Sequence, residues 1–111
     1  MKVYDKCYEL AQAIKESKEY TEYKEIKSHV YGELNLKDKV EEFEKIRYEE
    51  QLLAMQGEEQ SVAKMQRLQE LYEILIKEPV VKDYFEKEVK FNLMIADVNK
   101  IIGEAIKDVL M

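Results

Sequence analysis

An apolar row runs through the last third of the chain at Val81, Tyr84, Phe91, Ile95, Val98, Ile102, Ala105 and Val109, interrupted only by Glu88. Alternating steps of three and four residues mark one seam of a single helix. Read from Pro79 onward, that helix has roughly 30 residues and a length of about 45 Å at about 1.5 Å per residue. A domain of this size is roughly 35 Å across, from a radius of gyration near 13 Å. The helix is therefore expected to overhang its own globule, and an apolar stripe left in water calls for a partner.

The remainder of the chain reads as helix too. Of its 111 residues 38% are charged, with only 3 glycines and 1 proline, too few turn formers for a sheet fold. From Val3 an apolar row passes through Cys7, Leu10 and Ile14, then loses phase and resumes one position early at Tyr20, Tyr23, Ile26, Val30 and Leu34. Ser17 lies at the slip and can cap a new helix. The spacing predicts a first helix over 2–16 and a second over 18–32, with Gly32 as a left-handed cap and Asn35 as the next N-cap.

A third helix from about Leu36 carries Val40, Phe43, Ile46 and Leu53, up to the interruption at Gln56 and Gly57. Glu58 and Glu59 are expected to open the fourth helix, since acids favour the positive end of the macrodipole. Its row is Val62, Met65, Leu68, Tyr72 and Leu75, and Pro79 closes it and opens the fifth. The expected fold is all-α: one domain over 1–111, an elongated antiparallel bundle of four to five helices with a long C-terminal helix, associating as a dimer.

Composition excludes several function classes. A net charge of −6 repels phosphate, so direct nucleic-acid binding is disfavoured. One cysteine and one histidine allow neither an internal disulfide nor a Cys/His metal cage within a single chain. No run approaches the roughly 20 apolar residues of a membrane span, and none near the start resembles a signal peptide. A reducing, cytoplasmic location is expected.

No nucleophilic triad, glycine elbow or phosphate-cradling loop can be assembled from these residues, and carboxylate clusters such as Glu41, Glu42 and Glu44 read as solvated faces paired with lysines. His29 follows Ile26 at the position where a dimetal bundle would place Glu. No catalytic, cofactor or metal site is expected, and the chain reads as a non-enzyme. Cys7 is expected to be buried as a small hydrophobe on the first helix, with contact to a cysteine of another chain as the alternative. Glu88 either fixes register within a helical interface or is solvated where the helix leaves its bundle; the solvated reading is preferred. Five of the eight tyrosines precede residue 32 and suit either a bundle edge or a partner surface.

The segments VYDKCYELAQAIKESKEYTEYKEIK, LKDKVEEFEKIRYEEQ and LQELYEILIKEPVVKDYFEKEVKFNLMIADVNKIIGEAI resemble the YlbF/YmcA/YheA family of small helical regulatory proteins, most nearly its YheA-like branch. The resemblance spans nearly the whole chain. It implies an all-helical fold, homo-oligomers, and a non-enzymatic adaptor role in multiprotein complexes, with a part in RNA processing as the alternative. Some members carry extra cysteines and iron–sulfur clusters; with Cys7 alone, this sequence departs from them and no cofactor is expected. The oligomer or partner interface is assigned to Tyr84, Phe91, Ile95, Val98, Ile102 and Ala105.

Overall fold

The computed structural model describes residues 1–110, and among them every regular element is a helix. These are α1 (Lys2–Glu16), α2 (Lys18–Tyr31), α3 (Leu34–Met55), α4 (Val62–Leu75) and α5 (Pro79–Leu110). At 32 residues α5 is about 48 Å long. The chain forms two compact units, one of Met1–Ile26 with Tyr84–Met111 and one of Lys27–Asp83.

The unit of residues 27–83 is built on an α3–α4 hairpin. Its core is Leu36, Val40, Phe43 and Ile46 from α3 with Leu71 and Leu75 from α4, joined by Val30 and Val81. The steps of three and four along α3 put these side chains on one face. Cross-helix pairs establish that the two helices run antiparallel. Glu49 meets Lys64 at 2.9 Å, Arg67 grips Glu42 with Nε–Oε2 at 2.8 Å and Nη2–Oε1 at 2.9 Å, and the rings of Phe43 and Tyr72 stack 6.2 Å apart. Glu49, late in α3, thus meets the start of α4, while Glu42 and Phe43, a turn or two earlier, meet positions further along it. The hydrogen bond from Arg67 is the main reason that the Glu42 carboxyl titrates below its ordinary range, and Lys64 does the same for Glu49.

Gly57 ends α3 as its position predicts. At φ +75° it lets Glu58 N–H donate to Leu53 O at 2.9 Å while its own N–H reaches Ala54 O at 3.2 Å, the paired bonds of a Schellman cap. The next helix does not start at Glu58 and Glu59, as expected, but at Val62, capped by Ser61. A tertiary contact moves the boundary: the buried Glu50 carboxylate accepts the Ser61 backbone N–H at 3.0 Å, and the Gln60 side-chain amide donates to the Glu50 carbonyl at 3.2 Å.

Other local expectations are also corrected. The buried row on α4 is Leu71 and Leu75 with Leu68 half-buried, whereas Val62, Met65 and Tyr72 are exposed. Gly32 is not left-handed; its N–H donates to Ser28 O at 3.0 Å and continues the last turn of α2. The N-cap of α3 is Glu33 in extended backbone, displacing Asn35.

Candidate partner interface

In the unit of residues 1–26 and 84–110, α2 and α5 also run antiparallel, and aromatic contacts hold them together. Tyr23 stacks on Tyr84 with centroids 5.7 Å apart and planes 18° apart, and lies 5.3 Å from Phe91, while Tyr20 meets Phe91 edge-on at 6.1 Å. Lys87 pairs with Glu22 at 3.5 Å beside them. Such ring pairs contribute about 0.5–1.5 kcal/mol each beyond their buried area.

Glu88 sits inside this aromatic layer. It is buried and its Oε2 accepts the Tyr23 hydroxyl at 3.2 Å, so the preferred solvated reading is overturned. The tyrosine supplies a donor at the one place where the seam holds a charge, which makes burial of the carboxylate tolerable. The early tyrosines divide accordingly: Tyr20 and Tyr23 pack on α5, while Tyr4 and Tyr8 face solvent from α1.

Along α5 the seam passes from dry to wet. Tyr84 is 0% exposed and is enclosed by its own chain, where it offers no surface to a partner. Phe91, Ile95 and Val98 are half-buried. From residue 99 to residue 110 every side chain is exposed, including the expected interface residues Ile102 and Ala105. Ile101 is 69% exposed and Val109 81% exposed. The doubled apolar positions Ile101–Ile102, Ala105–Ile106 and Val109–Leu110 widen the stripe beyond the six expected residues; that width was legible in the sequence as a second row one position out of register.

The second uncovered stripe is on α1. The helix buries none of its residues, so Val3, Tyr8 and Leu10 face solvent. Cys7 is exposed, against the expectation that it would be covered as a core residue. A break at Ser17 separates α1 from α2: its backbone is extended at ψ 152°, its hydroxyl donates to Ile14 O at 2.6 Å, and it accepts the Tyr20 N–H at 3.2 Å. One side chain thus closes the end of α1 and caps the start of α2.

Charge on both stripes is balanced. α1 carries three lysines against three acids, and residues 99–110 carry Lys100 and Lys107 against Glu104 and Asp108. Neither presents a field of one sign, so their chemistry is the burial of apolar area. Among the described residues no three His, Cys, Asp or Glu side chains come together in a way that suits a metal ion, and no helix is long and apolar enough to cross a membrane.

Residues 3–107 match the family model described as control of competence regulator ComK, YlbF/YmcA. The chain belongs to the YlbF/YmcA family. Relatives at the level of whole chains agree. A UPF0342 protein of Caldicellulosiruptor bescii is 35% identical over 95% of this chain and 88% of its own. UPF0342 proteins of Desulfitobacterium hafniense and Symbiobacterium thermophilum are 36% and 33% identical, over 99% and 94% of this chain and 89% and 93% of their own. For a YlbF/YmcA chain, the five helices and the long terminal one are the framework on which both uncovered stripes are carried.

Proposed function

We propose that this YlbF/YmcA protein is a non-enzymatic adaptor or regulator that works as a homo-oligomer and acts through protein–protein contacts. The observation that carries the reading is the terminal part of α5, where every residue from 99 to 110 is exposed while the apolar seam continues without a break. A monomeric soluble protein seldom leaves a contiguous apolar stripe of that kind in water, and its rim of balanced charge is that of a protein-binding face. Phe91, Ile95, Val98, Ile102 and Ala105 are the anchors of the contact, with Tyr84 beneath them as support. The family's link to a competence regulator agrees with a role exercised by holding other proteins.

Light scattering tests the oligomer. The unaltered chain is expected at twice its 13.3 kDa mass or more. Ile95→Lys with Ile102→Lys is expected at the monomer mass; an unchanged oligomer refutes the assignment of these residues. Affinity capture under mild salt, comparing the two forms, then tests recruitment, and a partner set identical for both separates adaptor function from assembly.

A further inference from the structure

We infer that α1 of one copy lies along the last three turns of α5 of a second copy, and reciprocally, so that the oligomer is built by exchange of amino-terminal helices. This rests on the homo-oligomer reading above and specifies which surfaces meet.

The two uncovered stripes have the same measure. On α1 the seam is Val3, Cys7, Leu10 and Ile14, in steps of four, three and four; on α5 it is Val98, Ile102, Ala105 and Val109, in the same steps, with Ile14 and Val98 half-buried and the other six exposed. Each covers 12 residues from first to last, about 16 Å of helix. Antiparallel, they align Val3 with Val109, Cys7 with Ala105, Leu10 with Ile102 and Ile14 with Val98, so residue numbers in each pair total 112. Contacts between α2 and α5 within one chain total 107 to 114, with Tyr20–Phe91 and Tyr23–Glu88 both at 111. The α1 stripe therefore continues the register in which α2 already sits on α5.

The same chain does not complete that register. Extended backbone at Ser17 ends α1 and redirects it, and α1 buries nothing. A segment that matches a vacant stripe on its own subunit, hung on a one-residue hinge and left uncovered, is in the geometry of an exchanged element. A second copy supplies the missing helix, and two-fold symmetry uses each stripe once. Pairing α5 with α5 alone leaves both α1 stripes in water.

Surface area sets the scale. The chain exposes 8597 Å². A monomeric protein of its mass exposes about 6,500 Å² by the usual mass scaling. The chain thus keeps more of its surface in water than a compact monomer does, as expected of a subunit whose stripes are covered by a second copy.

Cys7 is the chain's only thiol, which makes the test direct. The full chain carrying Ala105→Cys is oxidised with glutathione disulfide while native, then separated without reductant and mapped by peptide mass. The expected product is a covalent dimer in which Cys7 of each copy is bridged to the introduced thiol at position 105 of the other. A bridge within one chain, bridges joining like positions, or an oligomer with no bridge would each overturn the exchange. Because α1 buries no residue in its own subunit, Leu10→Lys leaves the fold intact and gives a second test. It is expected to lower the scattering mass to the monomer with helical circular dichroism retained, and an unchanged oligomer overturns the inference. If the unaltered chain itself is monomeric, the homo-oligomer reading fails along with it; if it is an oligomer in which Cys7 and position 105 do not bridge, only the exchange fails.

Discussion

Glu50 Oε2 accepts the backbone N–H of Ser61 at 3.0 Å, and Ser61 Oγ in turn accepts the N–H of Lys64 at 3.3 Å. A carboxylate on one helix thus holds the residue that caps the next. The other oxygen, Oε1, is buried with no hydrogen-bond partner, so the contact is maintained at a desolvation cost.

Glu50→Ala is expected to destabilise the protein by about 1–3 kcal/mol in urea unfolding, by orphaning the Ser61 amide. Glu50→Gln retains an oxygen for that amide and neutralises the group, and its loss should be clearly smaller. Equal losses for the two would show that shape, and not the acceptor, holds the loop.

Tyr23→Phe keeps the ring stacked on Tyr84 and removes the hydroxyl that donates to Glu88. A loss of about 1 kcal/mol is expected, rising toward about 3 kcal/mol if the carboxylate is not rehydrated. A double-mutant cycle with Glu88→Gln isolates the pair; a coupling of zero would mean that the two groups do not sense each other.

Leu71→Ala or Leu75→Ala should each cost about 2–5 kcal/mol, since both side chains are buried between α3 and α4. Leu34→Ala is the control, because that side chain is exposed; a change within about 0.5 kcal/mol is expected.

The two glycines with open space around them should respond in opposite directions. Gly57→Ala forces a side chain into φ +75° and is expected to cost about 1–2 kcal/mol, although nothing lies within 4 Å of the added carbon. Gly103→Ala, inside α5 with equally open surroundings, should raise stability by about 0.5–1 kcal/mol. Thermal melts of the two single variants decide the matter.

The Arg67–Glu42 pair predicts a specific pH response. Its carboxyl titrates below the ordinary 4.5 in the folded state, so the pair's stabilisation is fully present above 4.5 and is lost as pH falls through the lowered value. The stability difference between the unaltered protein and Arg67→Ala should therefore be constant near neutrality and narrow in acid. Both side chains are substantially exposed, so the difference should be small and should shrink in high salt.

The helices themselves were legible because their boundaries are marked locally. The phase slip at Ser17, the left-handed Gly57 and the proline at residue 79 each act on their own backbone, and α1 begins and ends where the spacing placed it. What escaped the spacing was set by distant partners. Glu50 lies among acids that look solvated, yet Ser61 draws it inward and shifts the start of α4. Glu88 reads as a solvated break in the seam until Tyr23, 65 residues earlier, brings a hydroxyl to it. For the candidate interface, periodicity located the stripe on α5 but could not tell that coverage stops after Val98 and that Tyr84 is consumed by its own core. Nor could it show that the amino-terminal row, which looks like core by the same rule, is exposed from Val3 to Leu10.

The backbone of Ser17 aims all fifteen residues of α1. A lever about 22 Å long moves its tip by about 8 Å for each 20° of rotation at its pivot. Substitutions at this one position could therefore re-point an intact rod without touching either helix it joins, and relatives sharing identical stripes could differ in architecture through a single pair of dihedral angles.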